Sequence, residues 1–214
     1  MAEIAAGWAF ADAFVPEDET TESAREAAHR FGIEPVSPAV GAALALAASA
    51  SPAGAMIEIG TGTGVSGLSL LKGAPEAVLT TIDSDLDHHQ VARSVFQAAG
   101  HGPRRTRLIT GRAADVLPRM NEQAYDLVFV DADWEPVEQY VDSALRLVRP
   151  GGSVLVAHVL QRGRVANPAR RDPATVVYRR LLTSVRERDD VLAGLSIVGD
   201  GLLHLVRRPA ERAE

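Results

Sequence analysis

From residue 55 onward the chain alternates between short apolar runs and stretches with helical spacing. The runs AMIEIG (55–60), AVLTTID (77–83), TRLIT (106–110), YDLVFVDA (125–132) and SVLVAHVL (153–160) predict five strands. Between them, VSGLSLLKG (65–73), DLDHHQVARSVFQAAG (85–100), RAADVLPRM (112–120) and PVEQYVDSALRLVRPGG (136–152) predict helices, and ATVVYRRLLTSVRERDD (174–190) predicts one more. In the second of these helices Leu86, Val91, Val95 and Phe96 form the apolar stripe. Strands separated by helices need crossover connections, which gives an α/β fold: a mostly parallel sheet with helices on both faces. The last segment breaks the alternation. LAGLSIVGDGLLHLVRR (192–208) is two strand-like runs joined by Gly-Asp-Gly, so the sheet should end in an antiparallel hairpin.

Residues 1–50 carry no strand pattern. TESAREAAHRFG (21–32) reads as a helix capped by Thr21 or Ser23 and stopped at Gly32, and PAVGAALALAASA (38–50) as a second apolar helix. This region is expected to be a helical cap on a domain spanning residues 51–208, one structural unit overall. The PAERAE end (209–214) reads as a frayed tail.

Composition narrows the class. At 214 residues the chain suits one sizeable domain. A formal net charge of -6 argues against nucleic-acid binding, and the absence of cysteine excludes disulfides, zinc-thiolate sites and a thiol nucleophile. No stretch has the length of a membrane span, and the start lacks a basic leader region, so a cytoplasmic protein is expected.

The chemistry concentrates in EIGTGTGVSG (58–67), where Gly60, Gly62, Gly64 and Gly67 leave the backbone bare just after a strand. Two ligands compete. Gly62-x-Gly64-x-x-Gly67 matches a dinucleotide fingerprint literally, with Asp83 at the end of the next strand as a ribose acid. The phase argues otherwise. Counted from the strand end at Gly60, the helix-packing glycine would fall at Val65. Glu58 also sits poorly beside a pyrophosphate, whereas it suits a ligand carrying an ammonium group. S-adenosylmethionine has an ammonium, a sulfonium, one carboxylate and a ribose. Its carboxylate can take the helix N-terminus and Ser66, and its ribose diol Asp83.

The segments EIGTGTGVSGLSLL, LTTIDSD, TGRAADVLPRM, YDLVFVDAD and LRLVRPGGSVLVAH, in that order and spacing, resemble the class I S-adenosylmethionine-dependent methyltransferases. More narrowly, they resemble the bacterial branch of the catechol and caffeoyl-CoA type O-methyltransferases, over about residues 33–206. The resemblance implies a Rossmann-like fold and roles for individual residues. Val36 closes over the cofactor. Glu58, Gly60, Thr61, Gly62 and Ser66 hold its methionine part. Asp83, with Ser84 beside it, holds the ribose, and Ala113 and Ala114 lie along the adenine. Asp131 is the acid at the reacting centre and Asp133 a further cofactor contact. A small hydroxyl-bearing acceptor and a homodimer are the partners implied.

The match breaks where the family places its metal and its lysine. The family pattern Asp-Ala-Asp-Lys is here Asp131-Ala132-Asp133-Trp134, and Asp-Asn after the fifth strand is here His158-Val159. Of three expected oxygen ligands only Asp131 remains, so no divalent metal is expected, because magnesium demands oxygen donors in octahedral array. His158, at the end of a parallel strand, is the alternative base: an ordinary imidazole pKa of about 6.5 suits the task, and Asp131 can orient it. The expected activity is O-methyl transfer to a small, aromatic hydroxyl without metal. The rivals are a cofactor-binding protein with degraded catalysis and an NAD-dependent oxidoreductase. His88-His89 reads as a surface pair. The arginine-rich 161–180 segment reads as a solvated face or a lid for anionic substrates, and Trp8, Phe10 and Phe14 as packing over the pocket or a second subunit.

Overall fold

The computed structural model describes residues 2–50 and 54–209; most of the PAERAE tail lies outside them. Seven strands form one sheet: β1 (Ala55–Ile59), β2 (Val78–Asp83), β3 (Thr106–Thr110), β4 (Tyr125–Val130), β5 (Val148–Val156), β6 (Val191–Ser196) and β7 (Leu202–Arg207). Their spatial order is β3-β2-β1-β4-β5-β7-β6. The first five pair in parallel, while β7 runs antiparallel to both β5 and β6. Three helices precede β1: α1 (Ala2–Asp12), α2 (Glu19–Arg30) and α3 (Pro38–Ala50). Then follow α4 (Val65–Gly73), α5 (Leu86–Ala98), the single-turn α6 (Ala113–Val116), α7 (Val137–Leu147) and α8 (Pro173–Arg186).

Strand alternation sorts the core into two layers. Along β4, Leu127 and Phe129 join one apolar cluster with Leu44 of α3, Leu70 of α4 and Phe96 of α5. Val128 and Val130 join the other, with Leu117, Tyr140 of α7 and Leu181 of α8. Because both faces are covered, the central strands are apolar at nearly every position, which is why their sequence reads as continuous runs. No helix among the described residues is long and apolar enough to cross a membrane.

Several boundaries differ from expectation for local reasons. The cap of α2 is Asp18, whose Oδ1 accepts from the Thr21 amide at 2.8 Å and from its hydroxyl at 2.9 Å, so Thr21 is inside the helix. Leu86 opens α5 but is 58% exposed, and His89 takes its place on the buried face. The Arg-Pro-Gly-Gly stretch belongs to β5, not to the preceding helix, and its pairing with β4 shifts register between Tyr125 and Leu127 as Gly151 turns at φ 82°. At its other end β5 stops at Val156, short of His158, which adopts φ 58°.

Candidate active site

The glycine segment is shaped by what lies against it. Gly60, at φ 95°, follows β1; a Cβ there would stand 1.9 Å from the carbonyl oxygen of Asp131. Gly62 and Gly64 also have positive φ, 48° and 94°, and Gly64 caps α4. Gly67 serves packing instead: a Cβ would meet the Phe96 ring at 2.7 Å. The loop therefore passes close over the sheet edge with bare amides leading into the α4 N-terminus, an arrangement that receives a carboxylate.

The cleft above this loop is lined by Gly60, Thr61, Gly62 and Ser66 on one side and by Asp83 and Ser84 at the end of β2. Ala113 closes it from α6, Asp131 and Asp133 from the end of β4, and Val36 from the connection before α3. Asp83 accepts from the Gly62 amide at 2.9 Å through Oδ2 and from the Asp85 amide at 2.9 Å through Oδ1. The same carboxylate thus ties the ends of β1 and β2 together.

Two residues expected along the cofactor do not line this cleft. Glu58 is fully buried beneath the loop and does not line the cleft. Its two oxygens accept from the Ser66 and Thr81 hydroxyls, both at 2.6 Å, and burial pushes its carboxyl up to about 7. Ala114 packs against the core, and Ala113 alone faces the cleft. His158 lines an adjoining cleft with Glu34, Val36, Ser37, Arg162 and Asp200.

The histidine pair, expected at the surface, divides: His88 lines the cleft and His89 is buried. His89 is 2% exposed. Its Nε2 lies 3.0 Å from Thr61 Oγ1 and its Nδ1 2.9 Å from Thr110 Oγ1, while Thr61 lies 2.7 Å from Thr81. With Glu58 ionised the directions follow: Thr81 donates to Glu58, Thr61 to Thr81, His89 Nε2–H to Thr61, and Thr110 to His89 Nδ1. Desolvation lowers the His89 pKa, which keeps the ring neutral in this chain. His88 lines the cofactor cleft, 3.4 Å from Asp83 Oδ2 and edge-on to Phe31. Their spacing in α5 after Asp83 was the available signal; it marks one helix turn facing the strand ends.

At the reacting end, His158 Nε2 lies 3.5 Å from Asp131 Oδ1. Burial raises the Asp131 pKa, opposed by His158 and reinforced by Glu34. Trp134, where the family lysine was expected, packs against the core, and Val159 is fully buried. The 161–180 arginines are largely engaged: Arg162 with Glu34, Arg180 with Glu138, and Arg179 with the carbonyls of Val165, Asn167 and Arg170.

A parallel sheet with a terminal antiparallel hairpin, a glycine loop opening α4 and an acid ending β2 agree with an S-adenosylmethionine-dependent methyltransferase. The O-methyltransferase family model matches residues 17–209, and the chain belongs to that family. A Mycobacterium avium protein bearing the name of an O-methyltransferase is 45% identical over 202 residues, covering 93% of this chain and 90% of its own. The O-methyltransferase TomG of Streptomyces achromogenes, involved in tomaymycin synthesis and solved with S-adenosylmethionine, is 30% identical with a TM-score of 0.84, covering 94% of each chain. A Bacillus cereus O-methyltransferase solved with S-adenosylhomocysteine is 27% identical with a TM-score of 0.84, covering 97% of this chain and all of its own. The chain is thus an S-adenosylmethionine-dependent O-methyltransferase.

Proposed function

We propose that this enzyme methylates a small aromatic hydroxyl without a divalent metal, with His158 as general base. The observation that carries the reading is the pairing of His158 Nε2 with Asp131 Oδ1 at 3.5 Å where β4 and β5 end, between the cofactor cleft and its neighbour. S-adenosylmethionine supplies an electrophilic methyl on its sulfonium. Asp83 and Ser84 would orient the ribose, the Gly60–Gly64 amides and α4 N-terminus the carboxylate, Ala113 the adenine, and Val36 the lid above them. The acceptor hydroxyl passes its proton to His158 Nε2 as its oxygen forms the bond to the methyl carbon, and the C–S electron pair stays on sulfur. Ser37, whose buried Oγ has no hydrogen-bond partner, lines the adjoining cleft with His158 and would face the acceptor there.

The donor set supports the metal-free part. Asp131 is an oxygen donor, position 158 is an imidazole and position 159 a buried Val, and no group of three or more His, Cys, Asp or Glu among the described residues is placed to hold an ion. Magnesium needs near-octahedral oxygen coordination, which these residues do not offer. The test is methyl transfer from labelled S-adenosylmethionine to a panel of catechols and phenols, with magnesium and with chelator. Turnover that ignores the chelator and falls by about 10²–10⁴ in His158→Ala supports the reading. Turnover abolished by chelator removes the metal-free part, and an unchanged His158→Ala removes the base.

We also propose a homodimer. Trp8 and Phe10 on α1, Phe14 just after it, Leu192 and Leu195 on the free edge strand β6 and Ile197 just after it are all exposed, and Trp8 and Ile197 line one apolar groove. A second copy of the chain is the partner that would cover them.

A further inference from the structure

Asp200 is the centre of the Gly-Asp-Gly turn between β6 and β7. The turn is built to a tighter specification than a hairpin needs. Gly199, at φ 60°, lies against Val40 of α3, where a Cβ would stand 2.6 Å from Cγ2. Gly201, at φ 89°, lies against Leu160, where a Cβ would stand 2.4 Å from the side chain. The two glycines let the turn press onto the loop after β5. That loop answers with three amides: Val159 donates to the Gly201 carbonyl at 3.2 Å, Leu160 to the Asp200 carbonyl at 3.0 Å, and Arg162 to Asp200 Oδ1. One carboxylate oxygen is therefore fixed by the backbone. The other, Oδ2, faces His158 Nδ1 at 4.0 Å, within ion-pair reach.

His158 is held on its other side as well. Its backbone takes φ 58°, a conformation a β-strand exit does not require, and this turns the ring between the two acids. The charged groups around it are Asp131 from the end of β4, Asp200 from the β6–β7 turn, and Glu34 and Arg162 at the mouth, while Tyr178 of α8 feels both acids. The phenol of Tyr178 is pushed up by burial and by the charges of both Asp131 and Asp200.

We propose that Asp200 is the positioning residue of His158: closing the 4.0 Å between Oδ2 and Nδ1 to hydrogen-bond length lets it accept Nδ1–H, against the pull of Asp131 at 3.5 Å from Nε2, and so leaves the Nε2 lone pair for the acceptor hydroxyl. The inference rests on the reading of His158 as the base. It adds what that reading lacks: an imidazole whose proton sits on Nε2 cannot accept a second one there, so a base acting through Nε2 needs a partner that keeps the proton on Nδ1. Asp200 supplies that partner from an element distant in sequence. When Nε2 takes the acceptor proton, the imidazolium lies between two carboxylates.

The deciding measurement is the tautomer of His158, read from ring ¹⁵N shifts in the histidine-labelled full chain at about pH 8.5, where histidine rings are ordinarily neutral, with His158→Gln used for assignment. The wild type is expected to show the Nδ1–H form. Asp200→Asn keeps an oxygen for the Arg162 amide and turns an NH₂ toward Nδ1, so the ring should switch to Nε2–H. An Nε2–H ring in the wild type, or an unchanged tautomer in Asp200→Asn, overturns the proposal. If Asp200→Asn does not fold, the wild-type tautomer decides alone. Turnover separates the two layers of the argument. Asp200→Asn should lower kcat by about 10–10³-fold with KM and S-adenosylmethionine affinity unchanged, and an equal loss of cofactor affinity would mark a structural role instead. Full activity in His158→Ala would remove the base reading itself, whatever the tautomer.

Discussion

Gly60 and Asp131 touch backbone to backbone: the Gly60 Cα approaches the Asp131 carbonyl so closely that a Cβ would stand 1.9 Å from its oxygen. The Asp131 amide in turn donates to the Ile59 carbonyl at 2.8 Å. The glycine loop and Asp131 are thereby fixed to one another by main chain. Gly60→Ala adds a backbone clash to an unfavourable positive φ, neither of which a flexible side chain can relieve. The expected cost is on the order of 3–5 kcal/mol of stability, with S-adenosylmethionine binding lost. Thermal unfolding and calorimetric titration of the variant check both.

Glu58 makes stability fall as pH rises. Burial raises its folded pKa from 4.5 to about 7, so the folded state holds the proton more tightly than the unfolded chain. Its contribution is fully present below 4.5 and is lost as pH climbs to about 7. The linkage amounts to about 3 kcal/mol across that window. Urea denaturation at stepped pH should show this decline in the wild type and a flatter profile in Glu58→Gln, which keeps an acceptor for one of the two hydroxyls.

Asp83 joins the glycine loop to the end of β2 and faces the cleft. Asp83→Ala removes the acceptor for the Gly62 amide and the proposed ribose ligand together. A loss of about 10–100-fold in S-adenosylmethionine affinity is expected, equivalent to about 1.4–2.8 kcal/mol. Asp83→Asn, which retains one oxygen, should lose less. Equal affinities in all three proteins would count against the ribose assignment.

The exposed β6 face carries the oligomer prediction. Leu195→Glu and Ile197→Glu place charges on an apolar edge, and each should convert a dimer to monomer in analytical ultracentrifugation while leaving the monomer folded. A monomeric wild type at the concentrations of the assay would remove the proposal.

Arg179 donates to three loop carbonyls, at 2.9 Å to Asn167, 3.2 Å to Val165 and 3.3 Å to Arg170. A lysine lacks the planar fork that reaches them together. Both Arg179→Lys and Arg179→Ala should speed limited proteolysis between residues 161 and 172, with little effect on the midpoint of global unfolding.

The sequence alone determined the alternating α/β order, the terminal hairpin and the cofactor loop. Buried strands must be apolar and tight turns must be glycine wherever they fall, so those features are written locally. It also pointed to Asp83 through its place at the end of the second strand, and to Asp131 and His158 through the family resemblance and the point where it breaks. Only the tertiary structure decided where Glu58 and His89 go. Its place at the end of a strand suggested a ligand contact for Glu58, whereas the fold gives both its oxygens to the Ser66 and Thr81 hydroxyls. A histidine in a polar helix reads as solvated until the strands beneath it supply hydroxyl partners. Asp200 shows the same division: Gly-Asp-Gly is a turn by its own chemistry, and it reaches His158 only because the antiparallel return of β7 beside β5 brings that turn onto the loop where the parallel strands end. Local geometry is set by neighbours in the chain, whereas the meeting of a turn and a base is set by the packing of the sheet.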